Sequence, residues 1–288
     1  MKKDHDLHIG GQAVFEGVML KSTNNLAVVV RKQDNKFAAY SKKIEKKNKF
    51  LTLPLIRGIV NLIEMLDLGV KTLIWSSNQV LDEDESLKPK DVFFMLASSI
   101  ILVIGIFIVA PFYLTKLFVD KGIWFNLVDG VIRIVFFIAY ILIISVSKDV
   151  RTLFQYHGAE HKVVNCYEHK KPLNLKNAKK FSTLHKRCGT SFIIVVLIFA
   201  IIIFSFITSD NAFVKIGLRI LLVPVIASLS YEFIRIGAKH PKNLLFQVFI
   251  LPGVWLQKIT TKEPTNKQLE VALQTIKTLL KMEGVKAR

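Results

Sequence analysis

Cysteine is nearly absent: 288 residues hold two, Cys166 and Cys188, too few for a disulfide framework. Both fall in a segment expected to face the cytosol, where thiols stay reduced, so they are free thiols or metal ligands. Acidic residues are also scarce, 22 against 40 Lys and Arg, for a net charge of +18. Such an excess can mark a nucleic-acid binder. Here the basic residues flank apolar runs without an aromatic stacking platform, which argues against nucleic acid and for anionic lipid head groups. No nucleotide-binding loop, Ser-centred nucleophile motif or haem-attachment string occurs, so ATP-driven transport and covalent serine chemistry lack support. No apolar core follows "MKKDHDLHIGG", so this start is not expected to be a secretory signal.

Apolar residues are abundant, at 51% of the chain with a mean hydropathy of +0.40, high for a soluble protein. Four stretches approach the roughly 20 residues that cross a bilayer: Val92 to Thr115, Phe125 to Ser147, Phe192 to Ile207 with its flanks, and Ala212 to Ile236. Of the Lys and Arg, fifteen lie in residues 1–90, ten in 148–187 and ten from Arg235 onward. Because positive charge at span ends is retained in the cytoplasm, both termini and the central loop are expected inside, with short connections around Asp120 and Asp210 outside. The expected fold is an α-helical polytopic membrane protein with about four transmembrane helices, a small N-terminal antiparallel β-sheet and amphipathic helices.

Residues 1–50 read as a small cytosolic β-rich domain. "HIGGQAVFEGVMLK", "LAVVVRKQ" and "KFAAYSKK" are separated by the turn stretches "STNN" and "DNK". Residues 51–90 hold an amphipathic helix, with Leu55, Ile59, Leu62, Ile63, Leu66, Val70 and Leu73 at helical spacing, and the linker "DEDESLKPK". Transmembrane hairpins at 91–147 and 192–237 enclose a cytosolic loop, 148–191. Residues 238–288 form an interfacial segment interrupted by Pro252 and Gly253, with Trp255 at the head groups. An amphipathic helix follows, capped at Thr265 or Asn266 and ending at Gly284. Inside the spans, Arg133 and Arg219 either snorkel to the outer head groups or mark a pathway or site. Glu232 is expected to pair locally with Arg235.

The 148–191 loop carries both cysteines and four of the seven histidines. In "YHGAEHK", His157 and His161 are one helical turn apart and can chelate one ion from the same face. His157 to His161 also fits H-x-x-E-H, in which two histidines hold zinc and the glutamate, here Glu160, activates water. That pattern needs a further carboxylate downstream, for which the loop offers only Glu168 nearby, with Glu232 at the inner end of the fourth span. A second cluster, "LHKRCGTSF", adds His185 and Cys188 and completes a candidate His3Cys set. Cys166 is a weaker candidate, and His5, His169 and His240 read as surface residues.

Five strings in order, "GGQAVFEGVML", "YHGAEHK", "HKRCGTSF", "SYEFIR" and "PGVWLQKITTKEP", resemble the YqhQ-like family of bacterial membrane proteins. The likeness runs through nearly the whole chain. That family commonly has methionine at Phe15, an Arg-Gly-Pro-like turn at Lys21 and Ser22, and proline at Lys186, and none of these departures removes a candidate ligand. The resemblance implies a multi-pass protein of the bacterial plasma membrane, described as a predicted metal-dependent enzyme. Two functions follow from residues and resemblance together. One is a metal-dependent hydrolase at the cytosolic face, with a divalent transition metal, zinc foremost, on His157, His161 and His185 or Cys188, and Glu160 as base. The other is a non-enzymatic accessory protein that binds another integral membrane protein or translocation machinery, or a second copy of itself.

Overall fold

The computed structural model of the chain describes residues 7–45, 47–81, 88–119, 122–207, 209, 211–240 and 242–285. The expected connections at Asp120 and Asp210, most of the acidic linker, and His5 lie outside the described residues. Four strands, β1 (Gly10–Val14), β2 (Gly17–Lys21), β3 (Asn25–Arg31) and β4 (Phe37–Lys43), form an antiparallel sheet in the order β1-β2-β3-β4. The run "GGQAVFEGVMLK", within the first of the β-rich runs named above, folds back at Phe15 and Glu16, where Glu16 adopts φ +47° and Val14 pairs with Gly17. The helices are α1 (Ile56–Val80), α2 (Pro89–Ile104), α3 (Ala110–Lys116), α4 (Gly122–Ile144), α5 (Lys148–Glu168), α6 (Leu175–Ala178), α7 (Gly189–Phe204), α8 (Ala212–Lys239), α9 (Leu244–Thr260) and α10 (Asn266–Met282).

β2 and β3 are apolar at successive positions rather than alternately, because helices cover both faces of the sheet. On one face Val14, Met19, Leu26, Val28 and Val30 meet Met65, Leu68, Leu73 and Trp75 of α1. On the other, Val18, Leu20, Ala27 and Val29 join α5 and α10 through residues such as Val163, Leu269, Ile276 and Leu280. α10 begins with Thr265 and Gln268 in a reciprocal capping box and is followed by Gly284 at φ +72°, matching its sequence signals.

Among the described residues, three helical segments are long and apolar enough to cross a membrane: Lys90–Lys116, Gly122–Ile144 and Ala212–Lys239. The first combines α2 and α3 through a π-helical turn at Gly105–Val109, beside Pro111, whose missing N–H and bulky ring disfavour a regular helix there. α7, expected as a further span, has 16 residues, roughly 24 Å of helix and short of a bilayer core of about 30 Å. α9 continues as a helix through Pro252.

The intraspan arginines do not snorkel. Arg219 is 0% exposed and bonds Asp129 at 3.0 Å and Asn126 at 3.2 Å, while Arg133 meets the other Asp129 oxygen at 3.1 Å. Asp129, one turn before Arg133, thus holds two cations from α4 and α8. The Phe112, Phe125 and Phe204 rings surround the Arg219 guanidinium within 5.8 Å. Glu232 also differs from expectation. It forms a two-pronged pair with Arg57 of α1 at 2.5 and 2.6 Å, and Asn61 donates to Tyr231 at 2.7 Å. These bonds fasten α1 to α8, so α1 joins the sheet to the apolar helices. Arg57 takes both carboxylate oxygens in a planar fork, and no ion pair joins Glu232 to Arg235 among the described residues.

Glu64 of α1 receives the Lys21 ammonium at 2.6 Å and that of Lys47. Burial raises a carboxyl, but these two cations outweigh it and hold Glu64 below the ordinary carboxylate range. A depressed folded value stabilises above the unfolded value and loses its effect as pH falls through the folded one. Glu64→Gln is therefore expected to cost about 1 kcal/mol at neutral pH. The gap between wild type and variant should close below about pH 4, measured by thermal unfolding in detergent across pH. An unchanged gap in acid counts against the pairing as its source.

Candidate functional site

The unbroken α5 places His157 and His161 on one face, with ring centroids 4.4 Å apart. His157 Nδ1 lies 3.0 Å from the Thr260 carbonyl, and His161 Nδ1 lies 2.5 Å from that of Thr183. A carbonyl only accepts, so each Nδ1 donates, and the tautomer this selects in the neutral ring keeps its lone pair on Nε2. His157 Nε2 is 3.2 Å from Cys188 Sγ, and donor atoms of His157, His161 and Cys188 all lie within 4.8 Å of one another. Burial pushes the His161 imidazole below its ordinary value, against a smaller opposing pull from Cys188, which favours the neutral ring.

His185 does not converge with these donors. Its Nε2 faces Glu168 at 3.2 Å, and its ring centroid stands 5.6 Å from that of His161. Gln257 of α9 fixes its main chain in both directions, accepting from His185 N at 2.8 Å and donating to His185 O at 2.9 Å. Glu168, considered above as the missing carboxylate, is engaged by His185 and Arg187. Cys166 is buried in the core between α5 and the sheet, where burial pushes its thiol up. His169 and His240 are exposed.

Glu160 is buried, and burial pushes its carboxyl up, with His157 and His185 pulling the other way. It borders a cleft of about 370 Å³ that it shares with His157, His161 and Cys188. β1 forms the opposite wall: a Cβ at Gly11 would stand 3.2 Å from Glu160 Oε1 and 2.2 Å from the Met19 carbonyl, so only glycine fits. The turn after β1 is tied to the same helix by Tyr156, which donates to Glu16 at 2.9 Å.

Sequence reasoning missed the groups that orient the donors. The glycine of "YHGAEHK" is required because a Cβ at Gly158 would lie 2.1 Å from the Lys262 carbonyl. The chain after α9 crosses α5 there, bonding Lys262 N to the Phe154 carbonyl at 2.9 Å and bringing Thr260 to His157. Its signal was "PGVWLQKITTKEP", which carries Gln257, Thr260 and Lys262 but no side chain that advertises ligation.

A family model described as "Protein of unknown function (DUF1385)" matches residues 53–282. The chain is 32% identical over 299 residues to "Uncharacterized protein YqhQ" of Bacillus subtilis (strain 168), with 96% of this chain and 93% of the relative covered. No solved structure matches the chain. The family model spans most of the chain and the relative nearly all of it, and the chain belongs to the DUF1385 family of YqhQ-like proteins.

Proposed function

We propose that the protein is a multi-pass protein of the bacterial plasma membrane carrying a metal-dependent hydrolase site at the cytosolic membrane face. The observation that carries this reading is the convergence of His157 Nε2, His161 and Cys188 Sγ while both Nδ1 atoms are tied to carbonyls. Hydrogen bonding of the second imidazole nitrogen is how proteins orient histidine ligands. Two neutral imidazoles and a thiol that ionises on binding match the donors zinc prefers. With His185 turned to Glu168, three donors remain, the number used by catalytic rather than closed structural sites.

When bound, such an ion supplies a Lewis acid and acidifies water. The chain supplies the rest. Glu160, on the cleft wall beside His161, takes and returns a proton at the reacting centre. The Thr260 and Thr183 carbonyls hold His157 and His161 in place, and Gln257 fixes the main chain at His185, three residues before Cys188. Exposed Phe93, Ile101, Trp124, Ile143, Phe213 and Leu221 on the long apolar helices support immersion in a bilayer with anionic lipids. Taking α7 with its flanks as a fourth crossing leaves both termini and residues 148–191 in the cytosol, in agreement with the basic-residue distribution. The alternative, an accessory protein bound to another integral membrane protein, draws on the exposed Leu244, Leu245 and Trp255 of α9.

Elemental analysis of purified protein tests the reading. Wild type is expected to carry about one transition-metal ion per chain, and His157→Ala and Cys188→Ala to lose most of it, since removing a ligand deletes a donor outright. Metal-free wild type from metal-replete cells defeats the proposal.

A further inference from the structure

The cleft beside the histidines has an unusual wall. Five consecutive residues, Ile9 to Ala13, all line it. Side chains of a strand alternate between faces, and here they do: Gln12 reaches α1, bonding Gly69 O and Thr72 at 3.2 Å, whereas Ile9 and Ala13 pack with the α5 and α10 core. Successive residues can therefore border one cleft only if the main-chain edge of β1 faces it. β1 ends the sheet, pairing with β2 alone. No hydrogen bond joins the main chain of residues 9–13 to any other described segment. At every second residue of such an edge, N–H and C=O point away from the sheet and are available to another strand. At Gly10 an added Cβ would meet nothing within 4 Å, so the approach is open there.

We infer that β1 takes an extended polypeptide segment as an added strand, laid along the cleft so that one of its peptide groups comes to lie at Glu160, His157, His161 and Cys188. Main-chain pairing gives such a site affinity with little demand on sequence, and the cleft walls select side chains. Met65, Leu153, Phe154 and Ile193 make those walls apolar, and Ile193 belongs to the apolar helix α7. The substrate is thus a polypeptide with apolar side chains flanking the bond brought to the site. This inference rests on the proposed hydrolytic site for its chemistry, but the strand addition is tested by binding alone.

Full-length protein in lipid nanodiscs, stripped of metal so that no peptide is consumed, is incubated with a degenerate nonapeptide library. The best-retained peptide is then N-methylated at one amide at a time. Methyl groups at alternate amides are expected to weaken binding roughly tenfold, as each removes one hydrogen bond at a shielded edge, and those between to have little effect. Gly10→Trp, at a position where an added Cβ meets nothing within 4 Å, should weaken binding comparably while leaving zinc uptake unchanged. Failure to retain any peptide, losses without the two-residue alternation, or retention of short-chain phosphatidylglycerol in place of peptide overturns the inference. Absence of metal from wild type defeats the hydrolase reading instead and leaves the alternation to be judged by itself.

Discussion

Asp129→Ala lowers stability by about 3–5 kcal/mol, the largest loss expected of any single carboxylate in the chain. The variant leaves the Arg219 and Arg133 guanidiniums buried, 0% and 5% exposed, without the carboxylate that each meets at 3.0–3.1 Å. The aromatic rings around Arg219 offer partial compensation, on the order of 2 kcal/mol when desolvated. Denaturant titration in detergent, followed by helix signal, measures the loss. Asp67→Ala is the control: its carboxylate pairs with Lys71 on an exposed helix face, and its removal should cost under about 1 kcal/mol. Replacing Asp129, Arg133 and Arg219 together by apolar residues should recover most of the loss, because a buried ionic cluster stabilises little over a well-packed apolar one. Equal costs for Asp129→Ala and Asp67→Ala would show that the cluster is hydrated rather than buried.

Gly158→Ala is the second large effect, about 3 kcal/mol, with metal affinity reduced at least about tenfold. A single methyl group placed 2.1 Å from the Lys262 carbonyl must displace the chain that crosses α5. That chain carries the Thr260 carbonyl on His157 Nδ1, so a steric change that touches no ligand unfastens one. Unfolding and zinc titration on the same preparation separate the two consequences. Gly217→Ala, where an added Cβ meets nothing within 4 Å, should be neutral or mildly stabilising for its helix. If Gly158→Ala matched it in both measurements, the close crossing would not govern the site.

Much of the organisation was legible locally. Turn residues between β-rich runs placed the sheet, the stripe from Leu55 to Leu73 placed α1, and Thr265 with Gly284 bracketed α10, because strand periodicity, helix periodicity and end caps are properties of neighbouring residues. The spacing of His157 and His161 placed them on one face for the same reason. Apolar length was a weaker guide: the third apolar stretch is an almost pure Ile/Val/Phe run, yet the helix α7 that holds it stops after 16 residues. The fold-back at Glu16 was hidden because "AVFEGVML" carries only one strong turn residue, and side-chain contacts to Tyr156 and α1 complete the turn.

By itself, then, the sequence determined where the sheet, the amphipathic helices and three membrane-length apolar helices lie, and which segment holds nearly all the candidate ligands. Only the tertiary structure decided the partners. It joined Asp129 to Arg219 across ninety residues, gave Glu232 to Arg57 rather than Arg235, set Cys188 rather than His185 beside the two histidines, and ran the open edge of β1 past them. The physical reason is common to all four. Charged groups, lone pairs and strand edges are satisfied by whichever complementary atom the packed chain brings within about 3 Å, and that choice depends on how distant segments pack.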